Sequence, residues 1–170
     1  VETKAAIPPR DPQAREQLAE YVDSWGAVRQ GCMPGIVLLM ARPLGPSDRT
    51  ALLAAVRRTA GHRSRLSRFV QGGGVDCLVS WMKDAKSELA PHGSVVLLEL
   101  FRLLRVLPLR QLESEPAERL VQAADSLRRK VKATEGAVRE LLGRWKYAKR
   151  RFSKRTGEAE AGAPPAGALQ

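Results

Sequence analysis

The chain has 170 residues, of which 44% are hydrophobic and only 5% are aromatic. That hydrophobic share excludes a wholly disordered chain, and a core made mostly of Leu, Val and Ala favours helices over strands. The net charge of +11 predicts an acidic partner, which would be nucleic acid, anionic lipid or an acidic protein segment.

Cysteine content and apolar run lengths limit the class of protein further. Cys32 and Cys77 are the only cysteines, too few for a disulfide framework and without metal-ligand spacing. We expect both to be reduced thiols in a cytosolic or nuclear protein. The longest apolar stretch, 95–107, contains charged residues and is shorter than the roughly 18–20 residues that span a bilayer. No membrane association is therefore expected.

Residues 1–10 are predicted to be a flexible linker, and 11–64 a helical extension that precedes the main module. Asp11-Pro12 is typical of a helix start, because Asp accepts a hydrogen bond at the N-cap and Pro fits the first helical position. The helical spacing of apolar residues continues to Trp25, so this helix is predicted to end near Gly31.

Two further helices are predicted in the extension. A short apolar run, 36–40, lies between prolines and is expected to form one or two buried helical turns. A longer helix is predicted from Ser47, a favourable cap, to the neighbourhood of Gly61, with Leu52, Leu53 and Val56 facing inward.

Residues 65–153 are predicted to form a helical bundle. A short helix around 63–70 precedes Gly72-Gly73-Gly74, three glycines that permit a tight reversal. The next helix would bury Val75, Leu78, Val79 and Met82 on one face, with Cys77 beside them in the core.

The following helix is the most apolar element of the chain. Pro91-His92-Gly93 is predicted to be a loop, Ser94 a cap, and 95–107 a helix with no polar face, which belongs in the middle of a bundle. Pro108 is expected to end it.

The rest of the chain is predicted to be two helices and a tail. Pro116 would begin a short helix, 128–132 would be a basic connector, and Thr134 would cap a last long helix that buries Val138, Leu141 and Trp145. Residues 154–170, rich in Gly, Ala, Pro and Glu, are expected to be disordered. No strand pattern is present, so the fold class is predicted to be all-α.

Most of the positive charge lies near the C-terminus. Residues 128–155 contain twelve basic residues against Glu135 and Glu140. The cluster is open to three interpretations: a solvated helix face, a contact surface for acidic peptide or phosphate, or a nuclear localisation signal. The residues assigned to the signal are Lys149, Arg150, Arg151, Lys154 and Arg155. Sequence-specific DNA reading is not expected, because no zinc ligand set or zipper is present.

No residue pattern indicates catalysis. Gly72-Gly73-Gly74 lacks the Gly-Lys-Ser/Thr of a phosphate loop, and His62 and His92 are isolated from other metal-ligating residues. We expect no enzymatic activity, no metal, no cofactor and no small-molecule substrate.

The segment 69–152 resembles the TFIIS N-terminal domain family, also called the LW domain, which occurs in transcription elongation factors and in the protein phosphatase-1 nuclear targeting subunit. The resemblance rests on the order and spacing of short motifs. These are Phe69-Val70 with Gly72-Gly73, Leu78 with Trp81-Met82, the run 103–109, Leu120-Val121 with Leu127-Arg128, and Leu141-Leu142 with Trp145-Lys146. Where many family members have Gly-Lys before the penultimate helix, this chain has Glu118-Arg119.

The resemblance implies a compact helical bundle that acts as a non-catalytic protein–protein interaction scaffold in the nucleus. It would hold short disordered motifs, each an apolar anchor flanked by acidic residues, in the RNA polymerase II elongation, termination or chromatin machinery. The residues predicted to bind the acidic flank are Arg128, Arg129, Lys130, Lys132, Lys146 and Lys149. Phe101 and Trp145 are predicted to support the groove from the core.

Two other functions stay open at this point. The basic cluster also fits a helical domain that binds nucleic acid non-specifically, with an affinity that falls steeply with salt. A related helical region in histone lysine methyltransferases suggests a regulatory segment of a larger chromatin enzyme.

Overall fold

The computed structural model describes residues 10–87, 91–108, 111–112, 114–130 and 136–144. These residues are predominantly helical and form a compact bundle, which confirms the all-α fold class. The predicted linker 1–10, apart from Arg10, and the predicted tail 154–170 lie outside the described residues.

Seven helices with named bounds and one further helical stretch make up the described part of the bundle. They are α1 (Pro12–Tyr21), α2 (Met33–Met40), α3 (Pro46–Arg58) with a 3-10 turn after it (Thr59–Gly61), α4 (Arg63–Gln71), α5 (Gly74–Ser87), α6 (Pro91–Val106), α7 (Ser114–Lys130) and α8 (136–144).

Helix α1 begins as predicted but ends much earlier. The Asp11 carboxylate accepts a hydrogen bond from the Ala14 backbone N–H at 3.1 Å, and Pro12 occupies the first turn. The predicted end near Gly31 is wrong, because Val22 pairs with Val28 in an isolated antiparallel bridge and takes the chain out of the helix. Trp25 therefore lies in a loop, not on the buried face of a helix.

The short helix over 36–40 and the triple-glycine turn are confirmed, but the helix is not buried throughout, since Leu38 is 72% exposed. The run 36–40 lies within α2, which is followed by α3. Between α4 and α5, Gly73 has a φ of +91°, a conformation that favours glycine. A Cβ on Gly74 would lie 2.5 Å from the ring of Phe69, so the missing side chain lets this buried ring pack against the start of α5.

Helix α6 packs most extensively on α3 and also on α5. It starts at Pro91, so the predicted loop 91–93 is wrong, and it ends before Pro108 as expected. The prediction that it is covered on all sides is also wrong, since Val95 and Leu98 are 53% and 54% exposed.

A buried carboxylate links α3 to α6. The Glu99 Oε2 atom lies 3.1 Å from the Arg57 Nε of α3, and its Oε1 lies 2.7 Å from an Arg102 Nη one turn along α6. Because both carboxylate oxygens are paired, Glu99 is accommodated inside an otherwise apolar contact. One hydrophobic core runs from Ala14 to Leu141, so the predicted division between 64 and 65 falls within continuous packing.

Helix α7 is longer than predicted. It runs through Lys130, so Arg128, Arg129 and Lys130 belong to its last turn and the predicted basic connector is wrong for these three residues. Leu120, Ala124 and Leu127 are buried at helical spacing, and this apolar stripe continues the helix to its basic end.

Candidate functional site

Helices α5 and α7 lie side by side and run in the same direction. Near their starts, an Arg119 Nη lies 3.4 Å from the Asp76 Oδ1. Further along, Lys83 of α5 and Ser126 of α7 line the same depression. The two helices therefore form a continuous trough that leads towards the basic last turn of α7.

This trough, here called the α5/α7 groove, encloses about 380 Å³. Its base is apolar, with Val79 and Met82 7% and 0% exposed. Its other lining residues are Lys83, Arg119, Gln122, Ala123 and Ser126. An apolar base with cationic edges suits a side chain such as Leu or Phe that has a carboxylate close by.

The predicted partner-binding residues fall into two groups. Arg128, Arg129 and Lys130 follow the groove on α7, where Arg129 is exposed and one of its Nη atoms lies 3.7 Å from the Asp125 Oδ2 one turn earlier. Cations in the last turn of a helix also interact favourably with its dipole. Lys132, Lys146 and Lys149 lie outside the described residues.

Phe101 and Trp145 are the two aromatic residues predicted to support the groove, and only Phe101 lies within the described residues. Phe101 is buried on α6, 6% exposed, and borders α8 through Ala137, Leu141 and Arg144. It therefore supports the contact between α6 and α8, not the α5/α7 groove. Trp145 lies outside the described residues, as do the predicted nuclear localisation residues Lys149, Arg150, Arg151, Lys154 and Arg155.

One residue of the basic cluster, Arg144, forms hydrogen bonds that stabilise the fold. An Arg144 Nη1 donates to the carbonyls of Leu104 and Arg105, both at 2.8 Å, and its Nη2 donates to that of Leu107 at 3.3 Å. These carbonyls belong to the end of α6, where helix carbonyls lack intrahelical partners. The Arg144 guanidinium thus caps α6 and joins it to α8, a role that the charge count did not reveal.

The described residues hold no group of His, Cys, Asp and Glu side chains arranged to bind a metal ion. Cys77 lies at the edge of the core, where burial and the neighbouring Asp76 carboxylate raise the pKa of its thiol. A raised pKa lowers the thiolate fraction, which makes this thiol a poor nucleophile. In the described part of the chain, no helix has both the length and the apolar content to cross a bilayer.

A second surface was missed by the sequence analysis. Trp25 is 86% exposed in the loop after α1, and the next residue, Gly26, lines an open groove between α1 and α3 that Arg58 also lines. The helical spacing of apolar residues predicts Trp25 on the buried face of the first helix. The sequence signal against this was the polar and glycine content of 23–31, which interrupts the pattern after Val22.

Comparison with protein-family models, with curated proteins and with solved structures found no match to the chain.

Proposed function

We propose that this chain is a non-catalytic protein–protein interaction module that docks short segments of partner proteins, each with an apolar anchor and acidic flanks. The observation that carries the proposal is the α5/α7 groove, whose apolar base is edged by Lys83 and Arg119 and leads to the basic end of α7. The anchor would lie on Val79 and Met82, and the acidic flank would face the cations.

The strength of such binding follows from the size of the groove. Burying one large apolar side chain contributes about 2–3 kcal/mol, and each exposed ion pair adds about 0.2–1 kcal/mol. We expect a Kd of roughly micromolar size, which corresponds to about 8 kcal/mol, so the other contacts around the anchor must supply the rest and offset the cost of association. Such an affinity suits reversible assembly of a scaffold.

The cellular setting is part of the proposal and rests on the resemblance of the motifs in 69–152 to those of the TFIIS N-terminal domain family. A chain of this kind would act in the nucleus, in the transcription elongation, termination or chromatin machinery. The net charge of +11 is in keeping with acidic partner segments.

Non-specific nucleic-acid binding is the second candidate, and the concentration of basic residues in 128–155 favours it. The two candidates differ in what fills the apolar base of the groove. Phosphates would contact only the cations, with an affinity that depends steeply on salt, whereas a peptide anchor would also contact Val79 and Met82.

An NMR titration of the labelled chain at about 50 and 200 mM salt tests this choice. One ligand is an acidic peptide with a central Phe, and the other is a short DNA duplex. We expect peptide-induced shifts at Val79, Met82 and α7 that persist at the higher salt. Arg119→Ala and Arg129→Ala should each weaken the peptide about two- to fivefold, while Arg63→Ala, an exposed arginine of α4, should not.

The opposite pattern would refute the proposal. If DNA alone shifts the last turn of α7 and the higher salt removes those shifts, the surface binds phosphate. If the peptide leaves Val79 and Met82 unshifted, the α5/α7 groove is not its site.

A further inference from the structure

The loop between α1 and α2 has a defined conformation. Val22 and Val28 pair across it, and the Asp23 Oδ1 accepts hydrogen bonds from the backbone N–H groups of Trp25 at 2.9 Å and Ala27 at 3.1 Å. Gly26 has a φ of +78°, which favours glycine. These bonds hold residues 22–28 in a tight turn with Trp25 at its outer end.

The turn is tied to α3 through a buried hydroxyl. The Thr59 Oγ1 accepts the Val28 N–H at 3.0 Å and donates to the Ala55 carbonyl at 2.9 Å. Thr59 itself is fully buried. The position of the turn is therefore set by the same helix that forms one wall of the neighbouring groove.

Three arginines surround this turn. The Arg29 Nε donates to the Val22 carbonyl at 2.9 Å, and an Arg65 Nη1 donates to the Val28 carbonyl at 3.0 Å. The Arg58 guanidinium lies over Gly26, where an added Cβ would be 2.8 Å from its Nη1. Within the described residues, none of the three is ion-paired with a carboxylate. Their charge is available to an anion from outside.

The groove beside the turn, here called the tryptophan groove, lies between α1 and α3 and encloses about 640 Å³. Its apolar lining is Leu18, Val22, Ala51, Ala54, Ala55 and Val95. Arg15 and Arg58 are the charged residues that line it, and Arg15 is neutralised by Asp48 at 2.7 Å. On α6, the exposed Leu98 follows Val95 by one turn and extends the apolar surface.

We infer that the tryptophan groove docks an acidic amphipathic helix of a partner protein. The apolar side chains of that helix would lie on Leu18 and Val95, which line the groove, and would reach Trp25 on the adjoining turn. Its carboxylates would face Arg58, which also lines the groove, and Arg29 on the same turn as Trp25. Trp and Arg are the residues that most often dominate binding energy at protein interfaces. The charge complementarity selects an acidic partner.

A helix is the conformation that the groove favours. The walls α1 and α3 use their backbone N–H and C=O groups internally, so they offer no edge to which an extended segment would add as a strand. A helix satisfies its own backbone and needs only side-chain contacts. A nucleic acid would match the arginines but would leave the apolar lining unfilled.

This inference goes beyond the proposed function and depends on other residues, so it stands or falls separately from the α5/α7 groove. It is tested with the full chain and a synthetic peptide of about 16 residues, with Leu at helical spacing and Glu elsewhere. The readout is the NMR signal of the Trp25 indole N–H, identified with Trp25→Phe. Matched peptides carry Lys for Glu, or Ser for Leu, and a single-stranded oligonucleotide serves as the phosphate ligand.

We expect the Glu/Leu peptide to shift the Trp25 indole and both matched peptides to fail. Trp25→Ala should weaken binding about tenfold or more, and Arg58→Ala about two- to fivefold. Arg63→Ala and Arg129→Ala should leave this affinity unchanged, which separates the site from the α5/α7 groove. An unshifted Trp25 indole, equal binding of the Lys peptide, or a shift with the oligonucleotide only would overturn the inference.

Discussion

The tryptophan groove and the α5/α7 groove hold their cations in different ways. At the turn that adjoins the former, Arg29 and Arg65 donate to backbone carbonyls at 2.9 and 3.0 Å, and these bonds restrict their side chains before any partner binds. At the end of α7, beyond the latter, Arg129 is 77% exposed and reaches Asp125 only at 3.7 Å. A restricted side chain loses less conformational entropy on binding than a mobile one.

This difference suggests a division of roles between the two surfaces. Charges on mobile side chains act mainly on the rate of association and its salt dependence, whereas charges whose side chains are already restricted by hydrogen bonds act more on the lifetime of the complex. We therefore expect the basic end of α7 to attract acidic segments and the tryptophan groove to select among them. A count of charges along the chain does not reveal this distinction, because it weights every arginine equally.

The largest effect that separates the two surfaces is expected from Thr59→Val. Valine has nearly the volume of threonine but cannot accept the buried Val28 N–H, and an unsatisfied buried donor costs about 1–3 kcal/mol. Urea unfolding should show this loss of stability. The Glu/Leu peptide should also bind more weakly, since the turn that carries Trp25 loses its tie to α3.

Thr59→Ser keeps the hydroxyl and serves as the matched control, with a smaller loss of stability expected. Peptide-induced shifts at Val79 and Met82 should be the same in Thr59→Val as in the unmodified chain. If those shifts were lost as well, the two surfaces would not be independent.

An intermediate effect is expected from Gly26→Ala. A side chain at a φ of +78° costs about 1–2 kcal/mol, and the new Cβ would displace the Arg58 guanidinium from its position over the turn. Thermal unfolding measures the first consequence and peptide titration the second. Gly61→Ala is the control, because that position has open space around it and no positive φ. Equal losses in both variants would contradict the role assigned to Gly26.

The smallest effect on stability is expected from Arg129→Ala. Its exposed pair with Asp125 contributes at most about 0.5 kcal/mol, so the midpoint of thermal unfolding should barely move. Association of an acidic peptide with the α5/α7 groove should nevertheless become slower at low salt, as measured by stopped flow. A clear drop in the midpoint would mean that Arg129 is structural.

Local chemistry in the sequence predicted several elements correctly. Asp11-Pro12 begins α1, Pro108 follows the end of α6, and the three glycines permit the reversal before α5. In each case the deciding interaction lies within a few residues: a capping carboxylate, a missing N–H or a missing Cβ. Such signals can be read without knowledge of the fold.

Predictions failed where the deciding partner lies far along the chain. The helical pattern of apolar residues continues to Trp25, yet α1 ends at Tyr21. The chain leaves the helix because Val22 pairs with Val28, and the Val28 N–H donates to the Thr59 Oγ1, 31 residues along the chain. Val95 and Leu98 looked like core residues, and their exposure depends on how α3 covers α6. By residue type alone, Arg144 is one of the twelve basic residues of 128–155, and only its hydrogen bonds to the end of α6 show that it has a structural role.

The sequence by itself thus determined the helical class, most helix starts and stops, and the apolar face of α5, because each depends on residue type and spacing within one or two turns. Only the tertiary structure decided which apolar side chains are covered and which arginines face a groove. Those properties depend on the neighbours that each helix meets, and helical periodicity does not encode a helix's neighbours.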